Sequence, residues 1–478
     1  MTGPRNVGQP HPGPVPWTGR RVLVLGAGVS GLAAIRALSR VGALITVADE
    51  RAGVLPHDLL EDLSADPGRV HEIEMPAEVP VDVDVVLATP GIAPQHRVLV
   101  SARAAGKQII AEPELAWQLR SPDGPAWLVV TGTNGKTTTV GMLASMLRSA
   151  GLASIATGNI GLPLVDVVTG PVHYDVLAVE LSSFQLDRSP SIRAQAATVL
   201  NVAPDHLDWH GSLRAYAEAK RVAFDHAAIA VVNRDDEWSS RLAHGHPHPV
   251  GFTLGAPPQG ALGIADGVLI DRAFGGSGGE ATELALVSDV PMPGDHNVAN
   301  ALAAAGLARS VEVPAEAVAR GLRSYRPGPH RNTVIAIKDG VTYVDDSKAT
   351  NPHAARASLS AYADVVWIAG GLLKGADVND LVVAVRDRLR AVVLLGADRA
   401  VIGQALARHA PEVPVMDVSS NDDGAMIEVV RAAAATARPG STVLLAPAAA
   451  SMDMFLNYTA RAEAFAQAVA QLPREQAT

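Results

Sequence analysis

The sequence predicts an α/β protein of three domains, on three observations. The chain has 478 residues, and domains average roughly 150. Apolar strands alternate with alanine-rich helical stretches, the rhythm of βαβ units and a parallel sheet. The pattern restarts twice, after Ser121-Pro122-Asp123-Gly124-Pro125 and after Arg326-Pro327-Gly328-Pro329, because Gly and Pro punctuate a chain. A composition of 48% hydrophobic and 18% charged residues suits a large buried core. The absence of cysteine excludes disulfides, thiolate metal sites and a cysteine nucleophile. A net charge of −10 argues against a nucleic-acid-coating role. No apolar run reaches the roughly 20 residues that a membrane helix needs, and the N-terminus lacks the apolar core of a signal segment. The expectation is a cytoplasmic protein with no nucleic-acid partner and no membrane insertion.

Residues 1–17 carry five prolines and few apolar side chains, and read as a disordered leader. The first domain, 18–112, opens on the strand Arg21 to Leu25, followed at once by a glycine turn. Its next strands are Leu44 to Ala48 and Val83 to Ala88. The central domain, 113–327, restarts at Trp127 to Val130 and continues through strands at Val176, Ala197 and Ile229. Residues 244–292 are rich in Gly and Pro with short alternating runs, which predicts a small antiparallel β insertion. A helix resumes over 299–308. The third domain, 328–478, has strands beginning at Val341, Val365, Ala391 and Thr442.

Two glycine loops carry the first chemistry. Gly26-Ala27-Gly28-Val29-Ser30-Gly31 is a complete GxGxxG after a strand, which lets a phosphate approach a helix N-terminus. Asp49 ends the next strand, close to the spacing of a ribose-binding acid. The turn suits a nucleotide or nucleotide-sugar and does not say which; a purely structural tight turn is the alternative. Thr131-Gly132-Thr133-Asn134-Gly135-Lys136-Thr137-Thr138 also follows a strand and opens a helix. Its backbone N–H groups can cradle phosphates, Lys136 can reach the β and γ phosphates, and Thr137 can hold Mg²⁺. The earlier glycine is Gly132 rather than residue 130, a departure from GxxxxGK[ST].

Lysine usage points to the same loop and to others. Of 39 basic residues, only six are lysines: Lys107, Lys136, Lys220, Lys338, Lys348 and Lys374. Arginine replaces lysine on most solvated surfaces, but not where a compact ammonium or an ionisable amine is needed. Lys348 lies in Asp345-Asp346-Ser347-Lys348-Ala349-Thr350-Asn351-Pro352 and Lys374 in Gly370-Gly371-Leu372-Leu373-Lys374-Gly375. Both segments follow strands, where open α/β sheets bind ligands, and both suit anchoring of carboxylate or phosphate. Glu180 ends another strand, well placed for a nucleotide's Mg²⁺. His206 follows a strand end and is balanced between a structural and a ligand role. His244, His246 and His248 alternate, but among Gly and Pro they read as a surface loop rather than a metal site.

Taken together, these segments resemble the Mur ligase family of ATP-dependent amide ligases, over about residues 20–470. The motifs are the glycine turn at 26–31, the loop at 131–138, Gly158 to Pro163, Glu180 to Leu186, Asp205 to Asp208, Gly294 to Asn300, Pro329-His330-Arg331, Asp346 to Pro352 and Ser451 to Tyr458. The run Asp346 to Pro352 resembles the D-glutamate-adding branch. The resemblance implies a Rossmann-like N-terminal domain for the UDP end of the substrate, a central P-loop-type domain for ATP, and a C-terminal Rossmann-like domain for the amino acid. It implies an acyl phosphate made from the terminal carboxylate of UDP-N-acetylmuramoyl-L-alanine and ATP, then captured by the amine of D-glutamate, in peptidoglycan precursor synthesis for cell-wall growth. It implies two Mg²⁺ ions and favours a monomer.

The resemblance also assigns residues. Gly132, Thr133, Asn134, Gly135, Lys136, Thr137, Thr138, Asn297, Asn300, Arg331 and Asp346 would contact ATP. Thr137 and Glu180 would hold the first Mg²⁺. His206 and Lys220 would serve the second, Lys220 standing where the family carries a carbamylated lysine. Val29, Ser30, Asp49, Glu50, Arg51, Gly91, Ile92, Asn159 and His206 would meet the UDP-linked substrate. Lys348, Thr350, Lys374, Ser451 and Tyr458 would hold D-glutamate. Three departures stand out: two leucines before Lys374, alanines at 448–450 before Ser451, and Tyr458 where phenylalanine is common. Three rivals remain: another amide ligase on the same scaffold, such as a folylpolyglutamate synthase; a nicotinamide-dependent oxidoreductase, which leaves the loop at 132–137 unexplained; and a non-enzymatic P-loop switch.

Overall fold

The structure is a computed structural model that describes residues 16–51, 53–56, 69–275, 280–420 and 424–473. Residues 1–15 of the expected leader lie outside the described residues. Trp17, also assigned to that leader, is buried and belongs to the first hydrophobic core, with Arg20 over its ring. Packing therefore begins earlier than the first strand, because an indole removes a large apolar area from water.

Three sheets follow one another along the chain. The first comprises β1 (Arg21–Leu25), β2 (Leu44–Asp49), β3 (Val70–Glu74), β4 (Val85–Ala88) and β5 (Gln108–Ile110), paired in parallel in the order β3-β2-β1-β4-β5. The order reverses between β1 and β4, so the loops after these two strands diverge and leave a crevice for a ligand. The second sheet comprises β6 (Ala126–Thr131), β7 (Ser154–Gly158), β8 (Val176–Glu180), β9 (Ala196–Val199), β10 (Ile229–Asn233), β11 (Pro249–Phe252), β12 (Ala261–Ala265), β13 (Val268–Asp271) and β14 (Thr282–Leu286). Its order is β14-β13-β12-β11-β10-β9-β6-β8-β7. β6 is buried along its whole length, as a central parallel strand covered on both faces must be. The expected antiparallel insertion is present as β12, β13 and β14, but it prolongs the central sheet through β11. An open strand edge accepts such an extension readily.

The third sheet comprises β15 (Thr333–Lys338), β16 (Val341–Asp345), β17 (Val365–Gly370), β18 (Leu389–Leu395), β19 (Val415–Asp417) and β20 (Thr442–Leu445), in the order β15-β16-β20-β17-β18-β19. All pairs are parallel except β15 with β16, an antiparallel edge that strand patterning did not predict. Three sheets do not make three separate bodies. The first two share one compact unit, comprising residues up to Val202, His206–Asp289 and Ala299–Tyr325. The other unit comprises Ala203–Asp205, Val290–Val298 and Arg326–Thr478.

Candidate active site

In the first unit, both glycine loops sit at carboxyl ends of central strands. After β1, Gly31 packs so tightly that a Cβ there would lie 2.0 Å from the Gly26 carbonyl oxygen. This close approach lets helix Val29–Arg40 start directly above the strand. The N–H of Ala27 donates to Asp49 Oδ2 at 2.9 Å, and the Arg51 backbone N–H to Asp49 Oδ1 at 3.0 Å. The Ala27 bond chiefly holds the Asp49 carboxyl below its usual range, with Arg51 adding to it. Glu50 and Arg51 lie exposed just beyond Asp49.

The turn borders a pocket of about 280 Å³ lined by Val29, Ser30, Pro90, Glu112, Gly158, Asn159, Ile160, Gly161, Pro163 and Gln185. It unites three of the candidate substrate residues: Val29, Ser30 and Asn159. Gly91 and Ile92 continue the loop from Pro90. Glu112 and Gln185 were not singled out from sequence. Glu112 is buried; its Oε1 accepts the Val165 N–H at 2.6 Å, and burial raises its carboxyl to about 7, with Asp166 adding to the effect. Only its position just after β5 could have marked it.

After β6, Gly135 takes φ +85°, and a Cβ there would lie 2.3 Å from Asn300 Oδ1. A glycine is required on both counts. Asn134 is held by Asn201: its N–H donates to Asn201 Oδ1 at 2.9 Å, and Asn201 Nδ2 returns a bond to its carbonyl at 3.1 Å. Asn201 follows β9, the strand beside β6, a position that sequence order conceals. Lys136 Nζ donates to the carbonyls of Gly132 and Thr133, both at 2.9 Å. Lys220 Nζ, fully buried, donates to the same Gly132 carbonyl at 3.0 Å and lies 4.3 Å from the Tyr216 ring centroid. Two lysines far apart in sequence therefore converge on one carbonyl. Tyr216 was also missed; its hydroxyl accepts from Thr133 Oγ1 at 3.2 Å. Thr138 is buried in the first turn of helix Lys136–Ser149.

Glu180 ends β8 beside this loop. Its Oε2 accepts the Thr137 hydroxyl at 2.7 Å and its Oε1 accepts Asn159 Nδ2 at 2.9 Å. The carboxylate is 2% exposed, and among the described residues its oxygens meet neutral donors. A buried anion without a positive partner is costly, and a divalent cation relieves that cost. The donor set thus fits Mg²⁺. No cluster of three or more His, Asp or Glu side chains among the described residues forms a ready-made cage.

His206 caps the short helix Leu207–His210 in a left-handed conformation, φ +52°, with its ring against Phe184. His210 was not anticipated. Its Nε2 pairs with Ser183 Oγ at 2.9 Å, and its pKa falls to about 4, chiefly by burial and then by the Lys220 charge. His246, in the alternating run, is bonded to the Ala227 carbonyl and the His248 N–H.

The second unit gathers the remaining candidates at one end of its sheet. β16, β20 and β17 are neighbours, so the loops that follow them, at 346–351, 446–451 and 371–375, lie side by side. Asp346 is half-buried, and desolvation raises its carboxyl to about 6; it accepts the Asn332 N–H at 3.2 Å, with the Arg331 charge nearby. Asp345 Oδ2 pairs with His330 Nδ1 at 2.7 Å. Lys348 Nζ lies 3.9 Å from the Tyr458 ring centroid, so Tyr458 gives this lysine an aromatic face. Thr350 turns back with its N–H on the Lys348 carbonyl at 2.8 Å, and Ser451 is buried. The two leucines before Lys374 set a defined path: Leu372 bridges Ala450, and the Leu373 N–H donates to Asp398 Oδ2 at 2.7 Å. Lys374 itself is exposed in a left-handed conformation. Asn297 lies in this unit, bonded to the Pro293 carbonyl, whereas Asn300 lies in the first.

Three family models match the chain: the Mur ligase MurD-like N-terminal domain over residues 20–111, the Mur ligase middle domain over 130–308, and the Mur ligase glutamate ligase domain over 330–449. A protein of Thermobifida fusca named UDP-N-acetylmuramoylalanine–D-glutamate ligase is 53% identical, covering 95% of this chain and 99% of its own. One of Streptomyces avermitilis with the same name is 52% identical, covering 95% and 98%. Among solved structures, a Thermotoga maritima MurF ligase in complex with ADP has a TM-score of 0.54 at 18% identity, covering 95% of this chain and 99% of its own. At that identity the likeness speaks for the fold.

Proposed function

The chain belongs to the Mur ligase family, and from that premise we propose that it is an ATP-dependent ligase joining D-glutamate to UDP-N-acetylmuramoyl-L-alanine. The observation that carries the reading is Glu180. One oxygen holds Thr137 of the phosphate loop and the other holds Asn159 of the substrate pocket, so a single carboxylate links the two glycine-loop sites.

The reaction must bring two anions together, a carboxylate and the γ-phosphate, which demands positive charge in a fixed place. Lys136, helix Lys136–Ser149 and the loop N–H groups supply it on the ATP side. Thr137 and Glu180 would hold one Mg²⁺, and His206 with a carbamylated Lys220 a second; when bound, the ions neutralise charge between the reacting oxygens. The substrate's terminal carboxylate attacks the γ-phosphorus and ADP leaves. The D-glutamate amine then attacks the acyl-phosphate carbonyl and phosphate leaves. Asn297, Asn300, Arg331 and Asp346 are proposed ATP contacts. Lys348, Thr350, Lys374, Ser451 and Tyr458 are proposed to orient D-glutamate, the lysines by its carboxylates. Val29, Ser30, Asp49 to Arg51, Gly91, Ile92 and Asn159 are proposed to hold the UDP-linked substrate. No helix among the described residues is long and apolar enough to cross a membrane; a cytoplasmic setting is part of the proposal, because the proposed substrates are nucleotides.

The test is phosphate release from ATP with Mg²⁺ and UDP-N-acetylmuramoyl-L-alanine, comparing D-glutamate, L-glutamate and no acceptor. Release that depends on D-glutamate is expected. Release with another acceptor would keep the ligase and move the branch. No release, with nucleotide binding intact, would leave only a binding module.

A further inference from the structure

Arginine is among the side chains least often buried, yet Arg188 is 3% exposed. It lies just past helix Ser183–Leu186, on the segment that leads away from Glu180. Its Nη2 donates to the Ile92 carbonyl at 2.7 Å and its Nη1 to the Thr89 carbonyl at 3.4 Å. Its guanidinium carbon lies 5.4 Å from the ring centroid of Trp209. Its own carbonyl accepts the Ala111 N–H at 2.9 Å. Burial lowers its pKa to about 10, which leaves it charged at neutral pH.

Three segments meet on this one side chain: the loop after β4, the segment after β8, and the turn bearing His206. A second link ties the same parts, since Gln95 Nε2 donates to the Trp209 carbonyl at 3.2 Å. The loop after β4 in turn underlies the first glycine turn. Thr89 Oγ1 donates to the Leu25 carbonyl at 3.0 Å, and a Cβ on Gly26 would lie 2.3 Å from that hydroxyl. A shift at Thr89 is therefore transmitted to the turn that borders the pocket.

We propose that Arg188 is a positioning residue for the UDP-linked substrate, holding the Thr89–Ile92 loop in register with the glycine turn and with the His206 turn. It acts through two backbone carbonyls and an aromatic face, a combination that suits arginine's planar fork and not lysine's point charge. The proposal rests on the assignment of the pocket to the UDP-linked substrate.

The experiment is equilibrium binding of UDP-N-acetylmuramoyl-L-alanine, and separately of ADP with Mg²⁺, to the full chain and to Arg188→Met and Arg188→Lys. Arg188→Met should weaken the UDP-linked ligand by about tenfold or more and leave ADP within about twofold, with Arg188→Lys in between. Unchanged affinity for the UDP-linked ligand in Arg188→Met overturns the proposal. So does an equal loss of both ligands in both variants, which marks a merely structural arginine. Failure of the unaltered chain to bind the UDP-linked ligand, with ADP bound, overturns the pocket assignment and this proposal with it.

Discussion

The two glycine turns of the first unit are built alike and charged differently. Each follows a buried parallel strand and opens a helix. At the first, the nearest fixed partner is an acid: Asp49 accepts from the turn's own Ala27 N–H. At the second, two lysines bond the Gly132 carbonyl, and a carboxylate holds the Thr137 hydroxyl. The difference fits the proposed roles, one turn holding and the other reacting. A diphosphate that stays intact needs only backbone donors and a helix N-terminus. A phosphoryl group that is transferred needs cations held where its charge develops. The two unabsorbed lysines sharpen the point. Lys107 donates to the Val81 carbonyl, and Lys338 caps the carbonyls of Val469, Ala470 and Leu472. Lysine scarcity thus also marks a loop tie and a helix-end cap.

The strongest way to break the comparison is Lys136→Ala, which should lower kcat by about 10³-fold while circular dichroism stays unchanged. Full activity in that variant would mean the second turn is not the ATP site. Lys220→Ala should cost about 10²-fold in kcat, and added formate or acetate should restore part of it. Loss without rescue would mean that Lys220 acts as the ammonium seen on the Gly132 carbonyl. Asp49→Asn should raise KM for the UDP-linked substrate by about fivefold, with KM for ATP unmoved. Equal movement of both constants would mean that the two turns are not independent.

The smallest effect concerns Glu112, the acid in the pocket. Its carboxyl is raised in the fold from 4.5 to about 7 by burial. A raised acid favours the protonated form, so its stabilising contribution is full at low pH. That contribution falls as pH rises from about 4.5 to about 7 and is flat above, a total on the order of 3 kcal/mol. Glu112→Gln carries no such dependence. Its Tm relative to the unaltered chain should therefore rise by a few degrees between about pH 5 and about pH 8. Parallel Tm curves would show that Glu112 is ionised in the folded protein.

Much of the fold and part of the candidate site were legible along the chain. The glycine turns, the lysine after Gly135, the acid ending β8 and the run Asp346 to Pro352 are local patterns, written in consecutive residues. Trp17 was misplaced because one aromatic residue beside a proline-rich stretch has no period to read. Asn201, Tyr216 and His210 were missed because each is a common polar residue whose partner lies on another strand or helix. β12, β13 and β14 were expected as an insertion, since alternation reports a strand but not the edge it joins.

The sequence by itself determined where the central strands of each sheet run, where the two glycine turns lie, and which residue types stand ready there. Backbone sterics and hydrophobic burial act over a few residues, so that information is local. Tertiary structure alone decided that β6 lies between β8 and β9, and that β20 lies between β16 and β17. Strand order depends on how crossover helices pack on the sheet. It is this order that carries Glu180 to Thr137 and sets the loops after β16, β20 and β17 side by side.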